Sequence, residues 1–112
     1  MGQLTTHVLD TAHGVPAAGM EGRLCDGTGD TIASFTPGAD GRAALLHGQE
    51  FRPGAYTLSF WTAAYFASRR VVLPDPPFLD RIDIHFGVAD PAGHYHVPLL
   101  VSPWSFSTYR GS

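Results

Sequence analysis

Turn-forming residues interrupt this chain roughly every eight to twelve residues, and between them polar and apolar side chains alternate. Few folds tolerate that rhythm. With 13 glycines and 9 prolines among 112 residues, no long helix has room to form, and short half-buried strands become the expected element. The alternation marks strands at Leu4–Asp10, Met20–Asp26 and Asp30–Thr36, the last two joined by the hairpin turn Gly27-Thr28-Gly29. It continues through Ala43–Leu46, Ala55–Phe60, Arg81–Val88, His94–Ser102 and Ser105–Tyr109. Trp61–Ser68 is the one segment that reads as a helix, short and rich in aromatic residues. About eight strands and one helix imply an all-β, Greek-key or related sandwich, folded as one domain over residues 1–112.

Charge removes several functions. The net charge is −3, with no clustered cations of the kind a nucleic-acid phosphate backbone requires. All seven cations are arginines, so no lysine is present to form a Schiff base. Cys25 has no second cysteine to pair with and reads as a small, half-buried packing residue. No apolar stretch approaches a membrane span, and the first twenty residues lack the continuous apolar core of a signal peptide; the expected location is the cytoplasm.

Six histidines remain to be explained. His13 and His47 sit beside glycines in turns and read as solvated. His85 alternates with Phe86 and reads as a surface or partly buried structural residue. His94 and His96 differ: residues i and i+2 of a strand share a face, so their imidazoles stand side by side. Pro98 and Leu100 continue that face, and His7 with Leu9 and Ser107 with Tyr109 form matching faces on the first and last strands. Imidazole, hydroxyl and aliphatic groups together suit a pocket lining, although histidines that merely bond neighbouring strands would give the same pattern. A three-histidine zinc site is a further alternative, but no Asp, Glu or Cys occupies a matching position. No Gly-x-Ser-x-Gly elbow is present. Arg42, after Asp40-Gly41, is either a solvated turn residue or a fixed cation at this face.

Three separated segments resemble the 5-hydroxyisourate hydrolase family, enzymatic relatives of transthyretin. They are Leu4–Thr11 with Gly14–Gly19, then Asp40-Gly41-Arg42, and finally His94–Pro103 running on to Ser107-Thr108-Tyr109-Arg110-Gly111-Ser112. Tyr-Arg-Gly-Ser is the family's hallmark tetrapeptide, and together the segments span nearly the whole chain. Departures are Phe106 where tyrosine is common, Trp104 in the preceding turn, and the proline-rich Leu73–Phe78 stretch.

The resemblance implies a transthyretin-like sandwich of two four-stranded sheets with one short helix. It also implies a homotetramer, a dimer of dimers with sites in a central channel, and hydrolysis of the N1–C6 bond of 5-hydroxyisourate without cofactor or metal. His7, Arg42, His96 and Ser112 become the expected catalytic residues, with His94, Tyr109, Arg110 and Gly111 contacting substrate. A transthyretin-like carrier of small ligands is the alternative. Transthyretin resembles this chain in its first strand and Ser-Pro turn, but lacks histidine at the positions of His7 and His96 and arginine at that of Arg42.

Overall fold

The computed structural model describes residues 2–111. Its strands, in chain order, are β1 (Gln3–Asp10), β2 (Val15–Pro16), β3 (Gly22–Asp26), β4 (Thr31–Phe35) and β5 (Arg42–His47). They continue as β6 (Gly54–Trp61), β7 (Arg81–Val88), β8 (His94–His96), β9 (Leu99–Val101) and β10 (Phe106–Thr108). A single α-helix, α1 (Thr62–Ser68), follows β6 directly, one residue later than the aromatic pattern suggests because Trp61 ends the strand opposite Arg81.

Two sheets pack face to face. One has the order β4-β3-β6-β7, all antiparallel. The other is built around β1, with β5 and β2 along one side, β8 and β9 along the other, and β10 outside β9. It holds six segments yet is four strands wide, so the expected pair of four-stranded sheets is present, with β8 and β9 forming one interrupted strand and the separate segments β2 and β5 sharing one position beside β1. The segment expected as one strand from His94 to Ser102 is broken at Val97-Pro98, where proline offers no N–H to a ladder. Both halves run parallel to β1, a pairing that strand periodicity alone does not reveal.

Alternation is strict on β1: Leu4, Thr6, Val8 and Asp10 point inward and are fully buried, while Thr5, His7 and Leu9 lie half-buried on the outer face. Leu24, Leu58, Phe60, Leu99 and Val101 are likewise fully buried in the core between the sheets. Each such side chain contributes about 1.5–3 kcal/mol through apolar burial. The outward face is therefore free to carry chemistry without weakening the core.

Asp10 is a charge inside that core. Its carboxylate accepts hydrogen bonds from Tyr65 Oη (2.9 Å), from the His13 backbone (3.0 Å) and from His13 Nδ1 (2.6 Å). His13 is thus an anchor for the carboxylate, not the merely solvated residue its turn context suggests. Burial works to raise the Asp10 pKa, but the bonds from His13 and Tyr65 outweigh it and hold the pKa below its ordinary 3.8. A lowered folded-state pKa stabilises above the unfolded value and loses that contribution as pH falls through the folded one. Asp10→Asn is expected to cost about 1–3 kcal/mol near neutrality, lowering the melting temperature by roughly 5–10 °C in calorimetry. The difference from the parent should narrow below pH 3.8.

Candidate active site

The outer face of the β1 sheet gathers the side chains of interest. Arg42 opens β5 and pairs directly across from His7, which places guanidinium and imidazole on the same face. The turn before it is fixed by Gly41, whose φ of +79° lies in the left-handed region and whose Cβ, were there one, would sit 2.5 Å from the Val8 carbonyl oxygen. Only glycine fits there. The turn therefore lies against β1, and the Asp40 carbonyl reaches His7 Nε2 at 2.9 Å. A carbonyl only accepts, so Nε2 of His7 carries the proton, and in neutral His7 the lone pair is at Nδ1.

On the other side of β1, Thr5 pairs with His96 and Gln3 with His94. The Thr5 hydroxyl lies 2.8 Å from His96 Nδ1 and 3.1 Å from His94 Nε2. The ring centres of His7 and His96 are 6.4 Å apart, as are those of His94 and His96. Thr5, Arg42, Ala44, His94 and His96 line a shallow concavity of about 290 Å³. Ala43 and Thr6, which alternate with these residues along β5 and β1, also border it.

The tail reaches the same place. Gly111 forms an antiparallel bridge with His96, its N–H donating to the His96 carbonyl at 2.6 Å and its carbonyl accepting from the His96 N–H at 3.3 Å. A side chain at 111 would press on the imidazole, since a Cβ would lie 3.0 Å from His96 Cδ2. Tyr109 is 60% exposed, open to a partner or ligand. Ser112 lies outside the described residues.

Not every expected residue points into the concavity. Arg110 turns to the opposite face of β8: its guanidinium stacks 4.1 Å over the Tyr95 ring and donates toward the His94 carbonyl at 3.4 Å. It holds the tail in place instead of facing the imidazoles. Pro98, expected on the outer face, is buried at the break between β8 and β9. Thr5 was not singled out from the sequence, although its place two residues before His7 puts it on the same face.

Electrostatics favour a neutral His96. Burial is the largest cause lowering its pKa from 6.5, followed by the positive charge of Arg42 and then by His7 and His94. At neutral pH the ring is thus held as a base able to accept a proton. Replacing Arg42 by Gln removes one of those charges, so the His96 pKa should rise. An NMR titration of the His96 ring protons would show the midpoint moving to higher pH, and an unchanged midpoint would contradict the electrostatic account. Among the described residues, no group of three or more His, Cys, Asp or Glu is placed to hold a metal ion.

Comparison with known proteins adds to this geometry. Residues 4–111 match the model of the HIUase/Transthyretin family. A 5-hydroxyisourate hydrolase from Pseudomonas aeruginosa is 50% identical, with all of this chain and 93% of that one aligned. Among solved structures, the 5-hydroxyisourate hydrolase of Klebsiella pneumoniae superposes with a TM-score of 0.86 at 35% identity, covering the whole of both chains. An (S)-allantoin synthase structure gives 0.93 at 46% identity; this chain is 99% covered and spans 44% of that longer one.

Proposed function

The chain belongs to the HIUase/Transthyretin family and is a 5-hydroxyisourate hydrolase, and we propose that its reaction runs on the outer face of the β1 sheet, with His7, Arg42 and His96 at its centre. What supports this location above all is that His7, Arg42 and His96, from three different strands, share one face of the sheet, with Arg42 and His96 lining its concavity and His7 beside them.

Opening the six-membered ring requires water to attack the C6 carbonyl, so that a C–O bond forms and the C6–N1 bond breaks. His96, neutral and half-buried, takes the proton from the attacking water. Arg42, permanently charged and planar, donates to the oxyanion that develops on C6. The proton held as imidazolium then passes to N1 as the amide nitrogen leaves, giving 2-oxo-4-hydroxy-4-carboxy-5-ureidoimidazoline in urate breakdown. His7, its Nε2 committed to the Asp40 carbonyl, presents its Nδ1 as a hydrogen-bond acceptor for water or substrate. In this reading the tail from Tyr109 to Ser112 closes the pocket and limits the water that enters, while His94 lines its edge. No cofactor or metal takes part, and activity should persist in chelator.

The working assembly is a homotetramer in which two dimers face each other across these surfaces. Supporting it, β10 is an exposed edge strand, and Trp104, Phe106 and Tyr109 leave large apolar area uncovered on the single chain. Light scattering on the purified protein would report the mass directly. The activity itself is tested by adding the protein to 5-hydroxyisourate freshly made by uricase and following the ultraviolet band. Accelerated loss is expected, and a decay no faster than the spontaneous one would overturn the assignment.

A further inference from the structure

The hydroxyl of Thr5 touches both rings of the His94–His96 pair, and a hydroxyl has one proton to give. With His96 Nδ1 at 2.8 Å and His94 Nε2 at 3.1 Å, it donates to one imidazole and accepts from the other. Two arrangements satisfy every group. In the first, His96 Nδ1–H donates to the Thr5 oxygen and Thr5 O–H donates to His94 Nε2, which leaves the lone pair of His96 on Nε2. In the second, His94 Nε2–H donates to Thr5, Thr5 donates to His96 Nδ1, and His96 Nε2 carries the proton and cannot act as a base.

We propose that Thr5 is a positioning residue that fixes His96 in the base-ready tautomer by donating its own hydrogen bond to His94. The inference rests on the reading of His96 as the group that accepts the proton of water. It gives the neighbouring histidine a reason to be there: the lone pair on His94 Nε2 draws the threonine proton away from His96. The first arrangement also needs no rearrangement when His96 becomes charged. After Nε2 takes the proton of water, Nδ1–H already points at the Thr5 oxygen, so the imidazolium forms with its second hydrogen bond in place. Among the described residues, the Thr5 hydroxyl is the side-chain group hydrogen-bonded to both rings, and Ala44, opposite Thr5 on β5, has no polar atom to offer.

Nitrogen-15 NMR distinguishes protonated from unprotonated ring nitrogens, and it reads the tautomer without substrate. In the parent protein, His96 should show a protonated Nδ1 and an unprotonated Nε2. Thr5→Val keeps the branched shape and removes the hydroxyl. It should return His96 toward the Nε2–H tautomer that isolated imidazoles favour and lower kcat roughly ten- to hundredfold, the size of one hydrogen bond to a charged group, with KM little changed. Thr5→Ser restores the hydroxyl and should restore both readings to within about threefold of the parent, less than one hydrogen bond is worth. A parent His96 protonated on Nε2 would overturn the inference. So would a Thr5→Val protein, folded by circular dichroism, whose kcat or His96 nitrogens match the parent. If His96→Asn abolishes turnover while Thr5→Val does not, the site reading stands and only the role of Thr5 falls.

Discussion

A protein carrying His96→Asn is expected to fold, to melt close to the parent, and to hydrolyse 5-hydroxyisourate about 10²- to 10⁴-fold more slowly, the usual worth of a positioned acid–base group. The reasoning separates what the residue does as backbone from what it does as ring. Its N–H and carbonyl bridge to Gly111 and its strand pairs with Thr5, and asparagine keeps both. Asparagine also offers polar atoms near the position of Nδ1, so the Thr5 hydroxyl is not left without a partner. What disappears is a nitrogen that can accept a proton near neutral pH. A coupled uricase assay beside a thermal melt reads the two properties separately. Activity surviving in a folded variant would remove His96 from the chemistry.

Deleting Tyr109–Ser112 should be nearly as damaging to turnover and far milder for the fold. In the described part of the tail, the attachments include the two-bond bridge of Gly111, the stacking of Arg110 on Tyr95 and the long, exposed bond from Arg110 to the His94 carbonyl. Three hydrogen bonds, one of them weak, and a partly exposed cation–π contact together are worth about 2–4 kcal/mol before the entropy of ordering the tail is subtracted. The net loss on melting should therefore be a few degrees. In the proposed site the tail acts on catalysis differently, by closing the pocket so that water and substrate are oriented, and lost orientation costs on the order of 10²-fold or more. The truncated protein should show kcat/KM reduced by at least that factor. Full activity in the truncation would show that the concavity works open to solvent.

The parts of the structure that were legible from sequence are those governed by local rules. Period-two alternation located the strands and correctly set His7 and Leu9 apart from Val8, because one face of β1 must enter the core. Asp40-Gly41-Arg42 was legible as a turn through its glycine. What remained hidden depends on which strands become neighbours. Thr5 gains its meaning only because β8 lies parallel beside β1, a pairing between residues about ninety positions apart that no local pattern encodes. His13 looked solvated because its partner Asp10 reads as one more polar residue at the end of a strand. Only the packing of α1, which brings Tyr65 onto the same carboxylate, shows it to be buried. The direction of Arg110 was equally out of reach, since sequence spacing does not say which side of β8 the tail crosses.

The bond between His7 and the Asp40 carbonyl has a consequence for how this protein can vary. The acceptor belongs to the main chain, so any residue at 40 that lets the tight turn form supplies the same oxygen in the same place. The protonation pattern of the His7 imidazole is thereby entrusted to the path of the polypeptide. Substitutions at position 40 that still accept from the Arg42 N–H, as the Asp40 carboxylate does, leave that oxygen in place, whereas one added methyl group at Gly41 would push the loop off its neighbour and move it.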